Sequence, residues 1–382
     1  MQEQEEKSYL RLARAYEIKN KKDRRIYRFF EILPGALALS TFLVFGLASK
    51  FFPAYVSIFL IVFVIFWLFR SAYYLTHLIS SYHKMKQYEK INWQEKLEKI
   101  KFPINTLPTI NSLDELYHLI ILPTYKEPYE IVKESLDSLI NSGYNPQKLI
   151  VVLATEERAK EQGEEIRQLA LKDFDGKFFR FFETIHPQDI PGEIAGKGSN
   201  EAWAGKQVVK EIIDPLEIPY ENVIVSVFDI DTITKPGFFQ CLAYHYLTAQ
   251  DPLHSSYQPL PFYTNNIWEA PAVARILSFS STFWQMIQQA RPESLITFSS
   301  HSMGLKPVVE IGFWQENVVS EDSRIFYQCF LHYNGNWQVV PLYYPCLLYT
   351  SDAADDLLCV DLCGRRIIKK KITISYLLHQ DN

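Results

Sequence analysis

The sequence predicts an α/β protein in which a parallel sheet, covered by helices, follows a pair of membrane-spanning helices. Two stretches without any charge, residues 32–48 and 54–69, predict the spanning helices. From residue 113 onward, short apolar runs alternate with segments of helical spacing, and this alternation is typical of a parallel sheet. One of the apolar runs ends in two carboxylates, Asp229 and Asp231, which predicts a ligand site at the edge of that sheet.

The composition limits the classes of protein that the chain can represent. Its 382 residues leave room for about two domains. Hydrophobic residues make up 48% and aromatic residues 15%, which is rich for a soluble protein and indicates contact with a membrane. The net charge of −5 argues against a nucleic-acid partner. The cysteines lack ligand spacing, which indicates a reducing compartment without a disulfide framework: Cys241, Cys329, Cys346, Cys359 and Cys363.

The N-terminal part predicts a charged cytoplasmic arm over residues 1–30 and a helical hairpin over residues 31–76. The two transmembrane helices are expected at 31–49 and 54–76, close to the roughly 20 residues that span a bilayer. Basic residues cluster at both outer ends of the hairpin, whereas its connecting loop has only Lys50, so both flanks are expected in the cytoplasm. A pair of buried core helices is the alternative, although such helices usually keep a polar stripe.

Residues 77–112 predict an amphipathic linker between the hairpin and the α/β region. Tyr82, Met85, Tyr88 and Trp93 are interleaved with lysines. Such a segment either lies on the membrane surface or forms an ordinary solvated helix, and the pattern leaves both possibilities open.

Residues 113–345 predict the α/β domain itself. Its apolar runs are short and β-branched, and the fourth run reads as a strand that is buried on both faces. The predicted strands are 117–123, 149–154, 178–183 and 223–228, and the predicted helices are 129–141, 159–171, 200–211 and 323–333.

Polar side chains follow these strands where they end. They are Thr124, Lys126 and Glu127 after the first strand, Glu156 and Glu157 after the second, and Asp229 and Asp231 after the fourth. Because strand ends of a doubly wound sheet converge on one crevice, we expect these groups to lie close together. Hard oxygen ligands beside a phosphate suit Mg²⁺ or Mn²⁺, so Asp229 and Asp231 are the predicted metal ligands. Two solvated loop aspartates are the alternative.

Two further segments carry candidate chemistry. Lys197 lies between two glycines at a predicted helix N-terminus, where it is a reasonable phosphate contact, although a solvated turn explains the same pattern. The spacing of a phosphate-binding P-loop is absent. Asp322 lies near a predicted helix start, where an aspartate often serves only as a cap. The functional alternative for Asp322 is a general base that takes a proton from an acceptor hydroxyl.

Together these segments resemble the membrane-bound family 2 glycosyltransferases of the GT-A, Rossmann-like fold, related to cellulose and hyaluronan synthases. The resemblance covers about residues 113–345 and rests on four segments in the right order. They are Pro123-Thr-Tyr-Lys-Glu127, Gly196-Lys-Gly-Ser-Asn200, Asp229-Ile-Asp231, and Ser320-Glu-Asp322 in place of the family's T-E-D. Each segment is common alone, but the four together are fairly specific.

The resemblance implies a role for each matching residue. Thr124, Glu127 and Asn200 would line the nucleotide-sugar pocket with Lys197, and Glu156 falls where the family usually has an aspartate that contacts the base. Asp229 and Asp231 would hold Mg²⁺ or Mn²⁺ on the diphosphate, with Asp231 the closer ligand and Asp229 also among the nucleotide-sugar contacts. Asp322 would be the catalytic base of an inverting transfer. The site residues that the resemblance implies are therefore Thr124, Glu127, Glu156, Lys197, Asn200, Asp229, Asp231 and Asp322.

The chain departs from the family pattern in two places. The second strand ends in Glu156 and Glu157 instead of two aspartates, which puts the nucleobase contact in doubt. The family's Q-x-x-R-W segment, expected after the helix that begins near Asp322, is missing together with the spanning helices that usually follow it. We therefore expect the enzyme to be truncated.

The C-terminal residues 346–382 resemble a translated sequencing adapter. Residues 346–355 and 360–368 can each be encoded by one end of a transposase-type adapter, with one base changed at Cys363 and a barcode-sized gap between them. We expect native sequence to end near Pro345 and exclude the tail from fold reasoning.

Aromatic residues between the metal motif and Asp322 have two interpretations. The family places acceptor contacts here, and aromatic faces suit sugar rings. Phe279, Phe283 and Trp284 instead have helical spacing, which favours packing on the membrane-proximal side. The sequence does not decide the roles of Arg291 and His301.

Two hypotheses of different kinds follow. The first is a multi-pass inner (plasma) membrane glycosyltransferase with a cytoplasmic catalytic domain, which uses a UDP-sugar and a divalent metal to extend a glycan or lipid-linked acceptor. The second is a catalytically inactive, membrane-anchored nucleotide-sugar binder or scaffold, which the altered Glu156 position and the missing C-terminal segment favour.

Overall fold

Two long helices precede the sheet. The computed structural model describes residues 8–268 and 270–348, and within them α1 runs from Lys21 to Phe51 and α2 from Pro53 to Tyr88. Asn20 caps α1 by accepting a hydrogen bond from the Lys22 amide, so α1 begins before its apolar stretch. Both helices are long and apolar enough to cross a membrane, and their apolar windows are exposed. They contain the two spans predicted at 31–49 and 54–76.

The predicted linker contributes to the folded core. Residues 77–88 continue α2, and Met85 is buried within that stretch. A short helix, α3 (Trp93–Glu98), follows and buries Trp93 and Leu97. Trp93 therefore packs inside the protein, where neither a membrane-surface segment nor a solvated helix would place it.

The remaining described elements alternate along the chain. The helices are α4 (Tyr129–Ile140), α5 (Lys160–Phe174), α6 (Lys197–Val208), α7 (Phe238–Thr248), α8 (Ala272–Gln289), α9 (Leu305–Glu310) and α10 (Glu321–His332). The strands are β1 (Tyr117–Pro123), β2 (Leu149–Glu156), β3 (Arg180–His186), β4 (Val223–Val227), β5 (Ile233–Thr234), β6 (Ser255–Tyr263), β7 (Ser302–Gly304) and β8 (Gln338–Leu348).

In this part of the chain the strands form one eight-stranded sheet in the order β3-β2-β1-β4-β7-β6-β8-β5. The first four strands are parallel, as the sequence predicts. The sheet as a whole is mixed, because β7 runs antiparallel to both β4 and β6, and β5 runs antiparallel to β8. The predicted α/β class is confirmed, and the wholly parallel sheet is wrong.

Two of the four strands that were not predicted, β6 and β8, contain prolines. Pro259 and Pro261 lie in β6, and Pro341 and Pro345 lie in β8. Proline cannot donate to a ladder, so it lowers the strand signal of a sequence. The two strands nevertheless pair in parallel, with a register shift between Gln258 and Leu260 that accommodates the prolines at an irregularity.

The sheet is covered on both faces. Ile120 and Leu122 of β1 pack into a layer with α4, α5 and α7, whereas Leu119 and Ile121 pack into a layer with α6, α9 and α10. Successive residues of a strand point to opposite faces, so a continuous apolar run is what a doubly covered strand requires.

The last strand continues past the predicted end of native sequence. β8 extends to Leu348, and Cys346 is buried in it beside Thr234 of β5 and Pro261 of β6. The rest of the segment predicted to be an adapter, residues 349–382, lies outside the described residues.

Candidate active site

The side chain of Lys197 joins three distant segments at the carboxyl end of the parallel strands. Its Nζ lies 2.6 Å from Asp229 Oδ1, 2.9 Å from Asp322 Oδ2 and 3.6 Å from Glu201 Oε1. Lys197 and Asp322 are 125 residues apart in sequence. Three of the predicted site residues, Lys197, Asp229 and Asp322, thus form one ion-pair network.

Glycine explains how α6 and α10 come this close. A Cβ atom on Gly198 would lie 2.9 Å from Cβ of Glu321, a separation that real Cβ atoms essentially never show. The position therefore has to lack a side chain for Glu321 and Asp322 to approach the start of α6. The two glycines differ, because a Cβ on Gly196 would meet nothing within 4 Å.

Asp229 follows β4 and is held by both of its oxygens. Its Oδ1 pairs with Lys197, and its Oδ2 accepts a hydrogen bond from Ser299 Oγ. A tight turn follows, in which the Thr232 amide donates to the Asp229 carbonyl over 2.9 Å. Asp231 lies in that turn, half-buried, and its carbonyl accepts from Asn265 Nδ2 over 3.1 Å. Asp229 therefore belongs to the network around Lys197.

Asp322 lies in the first turn of α10, and its side chain points to the network. Ser320 occupies the N-cap position of that helix. The Asp322 carboxylate instead contacts Lys197 and approaches Nδ1 of the buried His301, 3.4 Å away. Thr297 Oγ1 donates to the Asp322 carbonyl over 2.5 Å. His301, whose role the sequence left open, is thus a neighbour of the candidate base.

Two buried glutamates complete the group, and the sequence analysis missed both. Carboxylate oxygens of Glu201, Glu321 and Asp322 lie within 4.8 Å of one another. Neither oxygen of Glu201 accepts a hydrogen bond from the residues that the structure describes. We refer to Lys197, Glu201, Asp229, Glu321 and Asp322 as the Lys197 cluster.

Burial and charge set the protonation of this cluster. Burial raises the pKa of Glu321 to about 8, with a further rise from Asp322, and burial also raises the pKa of Glu201. Burial would raise the pKa of Asp322 as well, but Lys197 and His301 outweigh it and hold that pKa below its usual range. Burial opposes the charge of Lys197, yet the carboxylates of Asp229 and Asp322 raise its pKa well above 10.5.

The donor set fits a divalent cation in its chemistry. Carboxylate oxygens are the hard ligands that Mg²⁺ and Mn²⁺ prefer, and Glu201 adds buried oxygens without hydrogen bonds. The set that gathers within 4.8 Å differs from the predicted pair, Asp229 and Asp231. The ammonium of Lys197 already shares these carboxylates, so a cation here would compete with it.

The residues predicted to line the nucleotide-sugar pocket make hydrogen bonds within the protein itself. The Glu127 carboxylate accepts from Thr124 Oγ1 over 2.7 Å and from the amides of Tyr125 and Lys126 over 2.7 and 3.1 Å. The Thr124 amide and the Asn200 side chain both donate to the carbonyl of Ala154, at 2.8 and 2.7 Å. Glu127 thus folds the loop after β1, which we name the Glu127 loop (residues 124–127).

Glu156 is buried and already paired. Its carboxylate accepts from Arg158 Nε, and the Arg158 guanidinium lies 4.3 Å from the centre of the Tyr125 ring. The neighbouring Glu157 accepts from the Gln188 amide over 2.9 Å. Arg158, which the sequence analysis did not single out, therefore covers the position where the resemblance implies a base contact.

Comparisons with known proteins give similarities of fold. No protein-family model and no curated protein matches the chain. Among solved structures, the mannosyltransferase PcManGT from Pyrobaculum calidifontis, in complex with GDP-Man and Mn²⁺, is similar over 71% of this chain and 67% of its own, with 14% identity and a TM-score of 0.41. S. aureus TarS 1–349 in complex with UDP-GlcNAc is similar over 65% of this chain and 68% of its own, with 14% identity and a TM-score of 0.39. The chain covers 40% of a longer S. aureus TarS structure.

Proposed function

We propose that the protein is a membrane-bound, inverting glycosyltransferase of family 2 with a GT-A fold. It transfers a sugar from a nucleotide-diphospho-sugar, a UDP-sugar in this proposal, to a polysaccharide or glycolipid acceptor. The observation that carries the proposal is the convergence of three segments on one atom, because Lys197 Nζ contacts both Asp229 and Asp322. Each segment belongs to a motif that resembles this family, and they are far apart in sequence.

Asp322 is the proposed catalytic base. The acceptor hydroxyl attacks the anomeric carbon, the bond from that carbon to the diphosphate breaks, and the hydroxyl proton moves to a carboxylate oxygen of Asp322. His301 holds Asp322 at this position from its buried side. Attack from the face opposite the leaving group inverts the anomeric centre.

Lys197 is the proposed phosphate contact. Its ammonium pairs with Asp229 and Asp322 in the described structure, at the N-terminus of α6. A bound diphosphate would compete with Asp322 for this ammonium, and this competition would leave Asp322 less strongly paired when the acceptor arrives. The residues that would hold Mg²⁺ or Mn²⁺ are Asp229 and Asp231, and the ion would neutralise the charge that develops on the departing nucleoside diphosphate.

The membrane location is part of the proposal. Helices α1 and α2 are exposed over their apolar lengths, with Phe42, Leu43, Val64 and Phe69 among the exposed side chains. An exposed apolar surface of this length suits a bilayer. We propose that the protein is multi-pass in the inner membrane with its α/β domain in the cytoplasm, beside a lipid-linked or glycan acceptor.

A non-enzymatic nucleotide-sugar binder is the second candidate. Two observations favour it. The Glu156 carboxylate already accepts a hydrogen bond from Arg158, and the carboxylate of the candidate base Asp322 already pairs with Lys197. Metal-dependent binding of UDP without hydrolysis or transfer of a UDP-sugar would support this candidate.

The test uses membranes that contain the protein, radiolabelled UDP-sugars and either Mg²⁺ or Mn²⁺. We expect Asp322→Asn to lower incorporation of label by about 10²–10⁴-fold, because general base catalysis typically contributes that much. Asp231→Asn should also abolish transfer, and Asp175→Asn, an exposed aspartate, is the matched control. Insertion of each variant is checked by carbonate extraction. Incorporation of label at the wild-type rate in both Asp322→Asn and Asp231→Asn would contradict the proposal.

A further inference from the structure

The segment before α1 is folded onto the α/β domain. Residues 8–17, which we name the N-terminal arm, form two short turns, Ser8–Arg11 and Ala15–Glu17. Glu17 closes the arm by accepting from the Ala13 amide over 2.7 Å and from the Arg14 amide over 3.2 Å. Leu10 is 1% exposed, although its neighbours in sequence are polar and charged. Such a charged segment was predicted only to be a juxtamembrane arm.

The arm docks on residues 312–324 through two of its backbone carbonyls and through the Arg11 side chain, whose Nη2 donates to the Gly312 carbonyl over 3.3 Å. The Arg11 carbonyl accepts from Gln315 Nε2 over 3.0 Å and from Asn317 Nδ2 over 3.1 Å. The Leu12 carbonyl accepts from Arg324 Nη2 over 3.3 Å. These bonds join residues more than 300 positions apart, and the turn Ser8–Arg11 packs against α10.

The docking partners include one residue of the helix that carries the candidate base. Arg324 is two residues after Asp322 on α10, and its Nε donates to Gln315 Oε1 over 2.6 Å. The neighbouring Glu316 carbonyl accepts from the Ile194 amide over 2.8 Å, just before the loop that carries Lys197. The arm therefore contacts α10 directly through Arg324, and α10 is the element that supplies the candidate base.

Burial makes this contact specific. Gln315 is buried, and a buried amide needs partners for its donors and its acceptor. The arm supplies the Arg11 carbonyl, α10 supplies Arg324 and residue 317 supplies its Oδ1, which accepts from Gln315 over 2.6 Å. If the arm undocked, Gln315 and Asn317 would both lose the Arg11 carbonyl as an acceptor. Arg324 would lose the Leu12 carbonyl.

We propose that the N-terminal arm is a positioning element for the transfer reaction. When docked, the arm holds α10 so that Asp322 stays beside Lys197. Because α1 begins at Lys21, shortly after the arm, the arm also links the candidate membrane hairpin to the helix that carries the candidate base. This inference rests on the proposed function of Asp322. Loss of docking lowers kcat and leaves donor binding intact, since Thr124 and Asp229 belong to other elements.

The experiment compares Leu10→Asp with Tyr16→Asp in the whole protein. Both changes place an aspartate in the arm, but Leu10 is 1% exposed and Tyr16 is 63% exposed. Asn317→Asp is a second variant, which turns a donor to the Arg11 carbonyl into an acceptor without disturbing the core. Three quantities are measured: hydrogen exchange over residues 312–332, kcat of sugar transfer, and Kd of UDP.

We expect Leu10→Asp and Asn317→Asp to raise exchange over residues 312–332 and to lower kcat by about tenfold or more, because small displacements of reacting groups are costly. The Kd of UDP should stay within about twofold of wild type, and Tyr16→Asp should match wild type in all three quantities. This split between kcat and Kd is a result that simple loss of folding would not give.

Three results would overturn the inference. Faster exchange with an unchanged kcat would show that docking does not position Asp322, and unchanged exchange in both variants would show that the arm does not support α10. A parallel loss of kcat and UDP binding would indicate unfolding instead of positioning. If the wild-type protein transfers no sugar, although Leu10→Asp raises hydrogen exchange over residues 312–332, the proposed function is wrong. The arm then supports α10 without a role in transfer.

Discussion

Two regions of the proposed site, the Glu127 loop and the Lys197 cluster, differ in how far the protein itself satisfies their carboxylates. In the Glu127 loop, one carboxylate receives three hydrogen bonds from its own loop. In the Lys197 cluster, three carboxylates share one ammonium, and Glu201 keeps buried oxygens without hydrogen bonds among the described residues. Buried polar groups are normally satisfied, so an unsatisfied set is the better candidate for binding a ligand.

The comparison also separates two kinds of role. A saturated carboxylate such as Glu127 shapes the loop that lines the proposed donor pocket. An unsaturated carboxylate can bind a cation or take a proton. We therefore expect changes in the Lys197 cluster to affect catalysis, with an added effect on donor binding at Lys197 itself, and changes in the Glu127 loop to affect donor binding alone.

The largest effect is expected from Lys197→Met. The variant leaves Asp229 and Asp322 without their shared counter-ion. Both carboxylates are about one-fifth exposed, so the loss of stability should be smaller than the roughly 3–5 kcal/mol that breaking a fully buried pair costs. Transfer should fall by about 100-fold or more, and the thermal midpoint should drop. Lys172→Met, which removes an exposed lysine of α5, is the control and should behave as wild type. Near-wild-type turnover in Lys197→Met would mean that the two carboxylate sets do not differ as we describe.

The sequence was sufficient to locate the first half of this site. A buried strand followed by Asp229, and a glycine-flanked Lys197, belong to a pattern in which strand ends converge, so their proximity follows from the topology of parallel strands. Glu201 is predictable from the same helix, because it lies four residues after Lys197 and so shares its face.

Other parts of the site were beyond sequence reasoning for physical reasons. Ser299 and His301 lie on an irregular segment before β7, where no periodicity fixes the direction of a side chain. β6 and β8 are rich in proline, which lowers the strand signal although the two strands pair. The pairing of Glu156 with Arg158 could not be anticipated from the strand pattern, because it depends on how the chain turns after β2.

Gly198→Ala should have the next largest effect. Its new Cβ would lie 2.9 Å from Cβ of Glu321, so α6 and α10 would have to separate, and overpacking of this kind typically costs about 1–3 kcal/mol. We expect a lower thermal midpoint and slower transfer. Gly196→Ala is a close control, because nothing lies within 4 Å of its Cβ position and its φ of 164° is extended. Equal midpoints for the two variants would contradict the close approach that places Asp322 at the cluster.

Glu127→Ala should produce a moderate effect of a different kind. The change removes the acceptor of three hydrogen bonds, at about 0.5–1.5 kcal/mol each, and loosens the Glu127 loop. We expect the Kd of UDP to rise by about tenfold with little change in kcat. Glu130→Ala, an exposed glutamate in the first turn of α4, is the control. A fall in kcat at unchanged Kd would place Glu127 with the catalytic set and erase the distinction between the two regions.

The smallest effect concerns the proton on Glu321. Its pKa is raised by burial to about 8 in the folded protein, against an ordinary value of 4.5, so the folded state binds more protons than the unfolded state between these values. The stability that this proton contributes is full below about pH 4.5 and is lost as the pH rises through about 8. In detergent without divalent cations, the wild-type thermal midpoint should fall more between pH 5 and 8 than that of Glu321→Gln. Glu134→Gln changes an exposed glutamate of α4 and should keep the wild-type dependence of the thermal midpoint on pH. If the midpoint depends on pH in the same way in all three proteins, Glu321 is ionised and the cluster carries more negative charge than we infer.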